Sequence, residues 1–495
     1  MNIINNALVS AFGDIEQFSK HILKRPLRRY QIEPARVMIA SIIRHDGEHY
    51  VWRFPRQSGK NETIAHVTAY ALFLYQRTPG SIIIHTAPTY DPQAANAQRR
   101  VMEITANSPF FTKLKSTENH IVLGEARAVF LSGGERDKPN VGSVASLALI
   151  KDEAQDLSQP YIEQAFDPMT ANTNAPHLHT GTARMLQTYL TAKRKELEKR
   201  TRKDKKQRVW AINWRDVAAE NPAYGQMVSG LIDTRGPNHP TIITEFENIE
   251  TDDTANLFNP RRTALIFAPT LTRLIAPIAT ERYAITIDVG GTSIEESTRQ
   301  HDPTLAAIHH ITITNNQPTL QTVQYWQCTG DVLNDTTHRK SLFSLITQWK
   351  PSNILVDATG LGIGLANALT AQFGHTVRHI IWSESTKTQA LEEYLALIET
   401  GRYQHYAATT DEDLARIQMQ MTKISIRQRG RYYSYGVDDS ATWLNPFTQK
   451  LEPLHDDHLM TSIMTGLLAN IPPPATITQS KQQRPNRQPK HQHHE

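Results

Sequence analysis

Strand-like and helix-like patterns alternate through the first part of this chain. HYVWRF (49–54), SIIIHTAP (81–88), AVFLS (128–132), SLALIKDEA (146–154) and HLHTGTA (177–183) are apolar or alternating runs of strand length. Between them, NETIAHVTAYALFLYQR (61–77) and the stretch from residue 88 to about Asn107 place apolar residues at helical spacing. Strand and helix in turn predict a parallel sheet with helices on both faces. Further on the order changes. AITIDVG (284–290), LAAIHHITIT (305–314) and LQTVQYWQC (320–328) follow one another as strands, with 315–318 as a turn. Helix SLFSLITQWK, strand NILVDAT (353–359), helix GLANALTAQFG, strand VRHIIWS (377–383) and helices ALEEYLALIETG and LMTSIMTGLLAN complete the series. A three-strand meander followed by helix–strand units predicts a mixed sheet. The expected organisation is therefore a domain over 1–235 with a lid region at about 184–235, a Pro- and Thr-rich linker over 236–280, a second domain over 281–470, and a tail over 471–495.

Composition agrees with folded domains: of 495 residues, 39% are apolar and 21% charged, enough to bury two cores. The tail is the exception, since Pro472–Pro474 open a polar, basic stretch that cannot bury enough surface to order itself. The single cysteine, Cys328, excludes an internal disulfide framework and points to a reducing compartment. No run approaches the ~18 apolar residues of a spanning helix, and the first residues lack a signal-peptide pattern, so a cytoplasmic location with no membrane partner is expected. The net charge of +4 changes the picture once it is located. KRKELEKRTRKDKKQR (193–208) carries +7 and residues 471–495 carry +3, leaving −6 on the remainder. Two basic segments on an acidic body suggest a polyanionic partner.

RFPRQSGKNET (53–63) joins a predicted strand to a predicted helix, the place where backbone N–H groups and a helix N-terminus meet phosphate oxygens. Gly59-Lys60 supplies the tight turn and the cation. The match to G-x-x-x-x-G-K-[ST] is partial, with the first Gly missing and Asn61 in place of Ser/Thr. About ninety residues later, SLALIKDEAQ runs four apolar strand positions into Asp152-Glu153. In nucleotide hydrolases such an Asp holds Mg²⁺ and such a Glu orients or deprotonates water. Gln31 of RRYQ (28–31) is placed to meet an adenine edge, and Thr180 and Thr182 of TGTA to sense a γ-phosphate. Together these residues point to ATP hydrolysis.

The second half gathers acids at element ends. Asp288 follows AITI, Asp357 ends ILV, and Asp456-Asp457 open the last helix in HDDHL, with Asp302 as an auxiliary. Parallel-sheet folds assemble sites at such ends. Clustered carboxylates repel one another without cations, so the group implies two divalent metals able to cleave a phosphodiester. Taken singly, each Asp reads as a cap or turn residue, and it is their order along the chain that points to a shared site. His455 and His458 are expected in supporting or surface roles.

In this order the motifs resemble the large terminase subunit, the DNA-packaging motor of tailed phages, over about residues 25–470. RRYQ resembles its adenine-binding motif, PRQSGKNE its variant phosphate loop, LALIKDEAQ its Walker B strand and HTGTA its coupling motif. IDVGG, LVDATG and HDDHL resemble its three nuclease motifs. The resemblance implies a P-loop (RecA/ASCE-like) ATPase domain followed by a ribonuclease H-like nuclease domain. It implies ATP at a loop formed by Arg56, Gln57, Ser58, Gly59, Lys60, Asn61 and Glu62, with Asp152 on Mg²⁺, Glu153 on water, and Thr180 and Thr182 coupling. Asp288, Asp357, Asp457, Asp456 and Asp302 would hold Mg²⁺ or Mn²⁺ for DNA cleavage, with the choice between Asp456 and Asp457 open. Implied partners are double-stranded DNA, the portal, the small terminase subunit and further copies of the chain in a ring, in the host cytoplasm on the procapsid. Where many members have an arginine finger in an Arg-Gly step, this chain reads Asn140-Val141-Gly142, so Arg136 and Lys138 are the substitutes. Two alternatives stand beside this one. A superfamily 2 helicase would explain DEAQ, although QRGR (428–431) lacks the spacing of that class's second arginine motif. A non-catalytic DNA-binding assembly protein would explain Asn61 and the missing arginine step.

Overall fold

The computed structural model describes residues 13–134, 143–184, 188–250, 257–268, 270–290, 303–314, 317–330, 332, 334–407, 411–429 and 432–469. Asp302, Arg136, Lys138 and the tail 471–495 lie outside them.

The first sheet has eight strands: β1 (His49–Arg53), β2 (Ile82–Ala87), β3 (Lys115–Ser116), β4 (His120–Leu123), β5 (Ala126–Ser132), β6 (Ala148–Lys151), β7 (His177–Gly181) and β8 (Val209–Ala211). They lie in the order β3-β4-β5-β2-β6-β7-β1-β8, parallel from β5 to β8, with an antiparallel β3-β4-β5 edge. Strand β7 is inserted between β1, which leads into the phosphate loop, and β6, which leads into Asp152-Glu153. That insertion is the strand order of the RecA/ASCE branch of P-loop folds. Strands β2 and β6 are buried throughout, as continuous apolar runs in a doubly covered parallel sheet should be. The helix Lys60–Tyr75 is buried on most of its surface because it lies between the sheet and outer helices and packs into one core with Phe18, Trp52 and Phe130.

The second sheet contains β9 (Phe267–Ala268), β10 (Arg282–Asp288), β11 (Thr304–Thr314), β12 (Gln317–Cys328), β13 (Asn353–Asp357), β14 (Val377–Ile380) and β15 (Tyr403–Tyr406). Its order is β14-β13-β10-β11-β12-β15-β9. The meander β10-β11-β12 is antiparallel, and β13 and β14 continue parallel from β10. A meander with two parallel strands added beside its first strand is the ribonuclease H-like topology. The helices Glu384–Glu399 and Asp457–Leu468 pack together on one face, around Leu391, Tyr394, Leu459 and Ile463. Helices Thr336–Trp349 and Gly362–Phe373 cover the other face, around Ile285, Val356 and Leu369.

Several element boundaries differ from the sequence expectation. SLALIKDEA is strand only over Ala148–Lys151, because the backbone turns at Glu153 with φ 47°. Gln317 and Pro318, expected in a turn, belong to β12, where they pair with Thr314 and Ile313. Strand β14 stops at Ile380, short of the expected 383. Within the stretch expected as a linker, residues 242–250 pack back on the first sheet. Asn248 donates to the Arg53 carbonyl at 2.7 Å, and Glu250 pairs with Arg53 at 2.7 Å and with Arg194 at 2.7 Å.

Candidate functional sites

At the C-terminal edge of the first sheet, β1 opens into the loop Phe54–Gly59 and then the helix Lys60–Tyr75. The loop turns at Gln57 (φ 58°) and Gly59 (φ 90°). A side chain at Gly59 would be strained and would sit 2.7 Å from Gln31 Nε2, so glycine is required there. Neighbouring elements brace the loop. Tyr30 donates to the Ser58 carbonyl at 2.5 Å, Gln31 Nε2 to the Gly59 carbonyl at 3.0 Å, and Tyr224 to the Arg56 carbonyl at 2.9 Å. Gln31 also accepts from the Arg28 amide at 2.9 Å, so both ends of its amide are occupied within the protein. Gln31 thus braces the loop from the neighbouring helix Arg29–Arg44.

Lys60 Nζ lies 2.9 Å from Asp152 Oδ1 and 2.5 Å from Glu153 Oε1. Burial works to lower the Lys60 pKa, but the two carboxylates outweigh it and raise it. Burial pushes Asp152 up, whereas the half-buried Glu153 is held below its ordinary value by Lys60. Glu153 Oε2 accepts from Gln155 Nε2 at 2.5 Å, and Gln155 Oε1 accepts from the Thr182 amide at 3.3 Å. Lys60, Glu153, Gln155 and Thr182 thus form one hydrogen-bonded line from the loop to the end of β7. Thr180 is buried behind this line and donates to Asp152 at 3.4 Å. Asn61 Oδ1 is buried without a partner, an oxygen donor suited to a hard cation beside Asp152. The cavity over these groups measures about 650 Å³ and is lined by Arg56, Lys60, Glu153, Thr182, Arg184 and Glu245, among others. That volume lies in the usual range of small-molecule pockets. Arg56 turns to Glu245, at 2.8 Å, and Glu62 faces Arg25 and Arg100, each at 3.6 Å.

At the second sheet, Asp288 and Asp357 end the adjacent parallel strands β10 and β13, one step beyond the paired Ile287 and Val356. Asp357 accepts from the Thr359 amide at 2.8 Å, and burial raises its pKa. The third position separates two neighbouring acids. Asp457 is fully buried, accepting from Gln420 at 2.7 Å and from His458 Nδ1 at 2.9 Å. His458 Nε2 reaches Asp413 Oδ1 at 3.1 Å. Burial disfavours the imidazolium, yet Asp457 and Asp413 raise the His458 pKa to about 9, and His458 in turn overcomes burial to hold Asp457 at about 2. Asp456 is half-buried, with its pKa raised by burial and by Asp457, and it shares with Asp357 the field of Lys387. Asp457 is thus turned inward to Gln420 and His458, while Asp456, at the head of the same helix, stays half-buried.

Among the described residues, the one group of three or more His, Cys, Asp or Glu ligand atoms within 4.8 Å of one another lies elsewhere: His49, His177 and His179. It sits at the start of β1 and on β7, away from the phosphate loop. His177 lies against Lys151 (3.1 Å) and Thr170 (2.8 Å), His179 against Tyr189 (3.1 Å) and His49 (3.2 Å). Lys151, itself paired with Asp167 at 2.6 Å, already supplies the cation that this cradle faces. It is a satisfied polar core.

The sequence reading did not single out Arg184, Glu245, Gln155 or Lys387. Gln155 and Arg184 stand inside or directly after the DEAQ and TGTA motifs and carried a local signal. Glu245 carried none, being 189 positions from Arg56.

A P-loop sheet with a Lys–Asp–Glu cluster at its phosphate loop, joined to a ribonuclease H-like sheet with acids at its strand ends, defines the class of this α/β chain. Its folded body resembles three solved structures in particular. A large terminase from a thermophilic bacteriophage is 12% identical, with a TM-score of 0.46 and coverage of 90% of this chain and 99% of that one. The bacteriophage HK97 large terminase is 10% identical, with a TM-score of 0.39 and coverage of 92% and 99%. The large terminase nuclease from thermophilic phage G20c with bound magnesium is 15% identical, with a TM-score of 0.30 and coverage of 42% and 94%. No protein-family model matches the sequence, and no curated protein matches it. At these identities and scores, the functional reading rests on the residues themselves.

Proposed function

We propose that this chain is the large subunit of a phage terminase, which hydrolyses ATP in its first half to drive double-stranded DNA through a portal into a procapsid and cuts that DNA in its second half. The observation that carries the reading is Lys60 clamped between Asp152 and Glu153 in a braced phosphate loop. In an empty pocket the lysine neutralises both acids. When a triphosphate enters, Lys60 moves to the β- and γ-phosphate oxygens, and the Glu153 carboxylate becomes free to take a proton from the attacking water. Gln155 links that carboxylate to the Thr182 amide, so a change at Glu153 is felt at the end of β7. Asp152 and Asn61 would hold Mg²⁺ here, and Asp288, Asp357 and Asp456 divalent metals at the second sheet, where such ions neutralise phosphate charge and activate water.

DNA has a surface to meet. Lys199, Arg202, Lys203, Lys205 and Lys206 are exposed along and just beyond the helix Tyr189–Asp204. Other cations of the same run are spent within the protein, with Arg194 on Glu250 and Arg208 on Glu48 and Asp204. A small subunit, a portal and a ring of copies complete the proposed assembly.

The test is a pair of variants of the full chain. Lys60→Ala should lose DNA-stimulated ATPase while retaining Mg²⁺- or Mn²⁺-dependent plasmid cutting, and Asp288→Ala should do the reverse. Wild-type protein with no ATPase in the presence of DNA and portal would sink the proposal.

A further inference from the structure

Three arginines face the phosphate cavity, and they differ in how they are held. Arg100 lies to one side, paired with Glu62 at 3.6 Å and Glu103 at 3.0 Å. Arg56 has 62% of its side chain exposed and leans on Glu245 at 2.8 Å. Arg184, with 12% exposed, is the most enclosed of the three. It follows the TGTA segment directly and shares the cavity wall with Lys60, Glu153 and Thr182. Its Nη2 pairs with Asp156 Oδ2 at 3.0 Å, and its Nη1 lies 3.9 Å from Glu245 Oε1, beyond hydrogen-bond reach. Its Nε is buried with no hydrogen-bond partner among the described residues. A buried guanidinium N–H left without an acceptor is costly unless a ligand supplies one. The fork geometry of arginine matches two oxygens of one phosphate.

We infer that Arg184 is a catalytic residue that binds the terminal phosphate of ATP from within the same chain, placing an acceptor on its orphaned Nε and drawing the guanidinium from Glu245. This rests on the phosphate-pocket reading above and deepens it. Arg184 follows the Thr182 end of the line that runs from Lys60 through Glu153 and Gln155. An arginine there stabilises charge on the phosphoryl oxygens while Glu153 handles water, and its loss on hydrolysis is registered where β7 ends. ADP, lacking the terminal phosphate, leaves Arg184 on Asp156 and Glu245. The residue thus distinguishes the two nucleotides, a task for which the segment 135–142 need not supply a cation.

The full-length chain should be titrated with a fluorescent ADP and with a non-hydrolysable ATP analogue. Arg184→Gln should weaken the analogue roughly tenfold and leave ADP within about twofold, as expected for one charge-assisted contact. Arg184→Lys, which keeps a charge for Asp156 but not the fork, should show the same selective loss and guards against a folding defect. Asp156→Asn removes the ion pair and should preserve the preference for the analogue. Equal weakening of both nucleotides by Arg184→Gln, or an Asp156→Asn variant that reproduces it, would show that Arg184 merely braces its loop. Lys60→Ala separates the two levels. If it abolishes binding of both nucleotides while Arg184→Gln changes neither, only the Arg184 inference falls; if Lys60→Ala changes nothing, the pocket reading fails and the inference with it.

Discussion

Replacing Lys60 by alanine should destabilise the first half of the chain by an amount that depends on pH and on Mg²⁺. Lys60 is the cation at 2.9 Å from Asp152 and 2.5 Å from Glu153; Lys60 and Asp152 are buried and Glu153 is half-buried. Removing one partner of a buried ion cluster leaves charge uncompensated, which costs about 3–5 kcal/mol. For a domain of this size, that corresponds to a fall of roughly 10 °C in the melting transition of the first half. The sign with pH follows from burial. Without Lys60, desolvation and mutual repulsion raise both carboxyl pKa values above their unfolded values. The folded variant then binds more protons than its unfolded chain, so its deficit shrinks toward acid and grows as pH rises. Mg²⁺ can take the place left by the ammonium, so it should raise the melting temperature of Lys60→Ala more than that of the wild type. The assay is thermal unfolding of both proteins at about pH 5 and about pH 7.5, with and without Mg²⁺. A deficit equal at both pH values and indifferent to Mg²⁺ would refute the role assigned to Lys60 as the counter-ion of Asp152 and Glu153.

Three further outcomes are expected. The His458 pKa is raised from 6.5 to about 9, so its stabilising contribution is complete below about 6.5 and is lost as pH climbs through about 9; urea titrations across that window should show about 3 kcal/mol of loss that His458→Gln abolishes. Asp456→Asn should abolish metal-dependent DNA cutting with little change in melting, whereas Asp457→Asn should lower the melting temperature first; an Asp457→Asn protein that melts like wild type yet cannot cut would return Asp457 to the metal. Neutralising Lys199, Arg202, Lys203 and Lys206 should flatten the log-log salt dependence of DNA binding by roughly one unit per lost phosphate contact, and neutralising Arg208, buried against Glu48 and Asp204, should shift melting instead; an unchanged slope in the first variant would make that ridge a solvated face.

The main elements were legible because they are long and strongly patterned. The apolar runs of β2 and β6, the meander β10-β11-β12 and the helix Lys60–Tyr75 declare their periods without help from the rest of the chain. Strands β8 (VWA) and β15 (YQHY) did not, being three and four residues long, the second of them partly polar; they are strands because a neighbour offers them an edge. At the sites, residue types at fixed spacing pointed to Lys60, Asp152, Glu153, Asp288 and Asp357. What those side chains do to one another was invisible. Gln31 braces the loop through the Gly59 carbonyl, and Asp457 is turned inward by Gln420 and His458, both from contacts made far apart in sequence or fixed by a helix's rotation.

The alternation of Lys151 and Asp152 has a mechanical consequence. Successive residues of an extended strand point to opposite faces, and here each face receives the charge it can hold. Lys151 enters the Asp167 and histidine cradle while Asp152 meets Lys60. A slip of β6 by one residue between β2 and β7 would exchange these environments, setting an anion among neutral imidazoles beside Asp167 and a second cation against Lys60. Each misplaced ion would cost several kcal/mol, on top of the ladder bonds broken. The central strand is thereby pinned against shear, and a tug at the DEAQ end is passed to the sheet as a whole rather than absorbed by sliding.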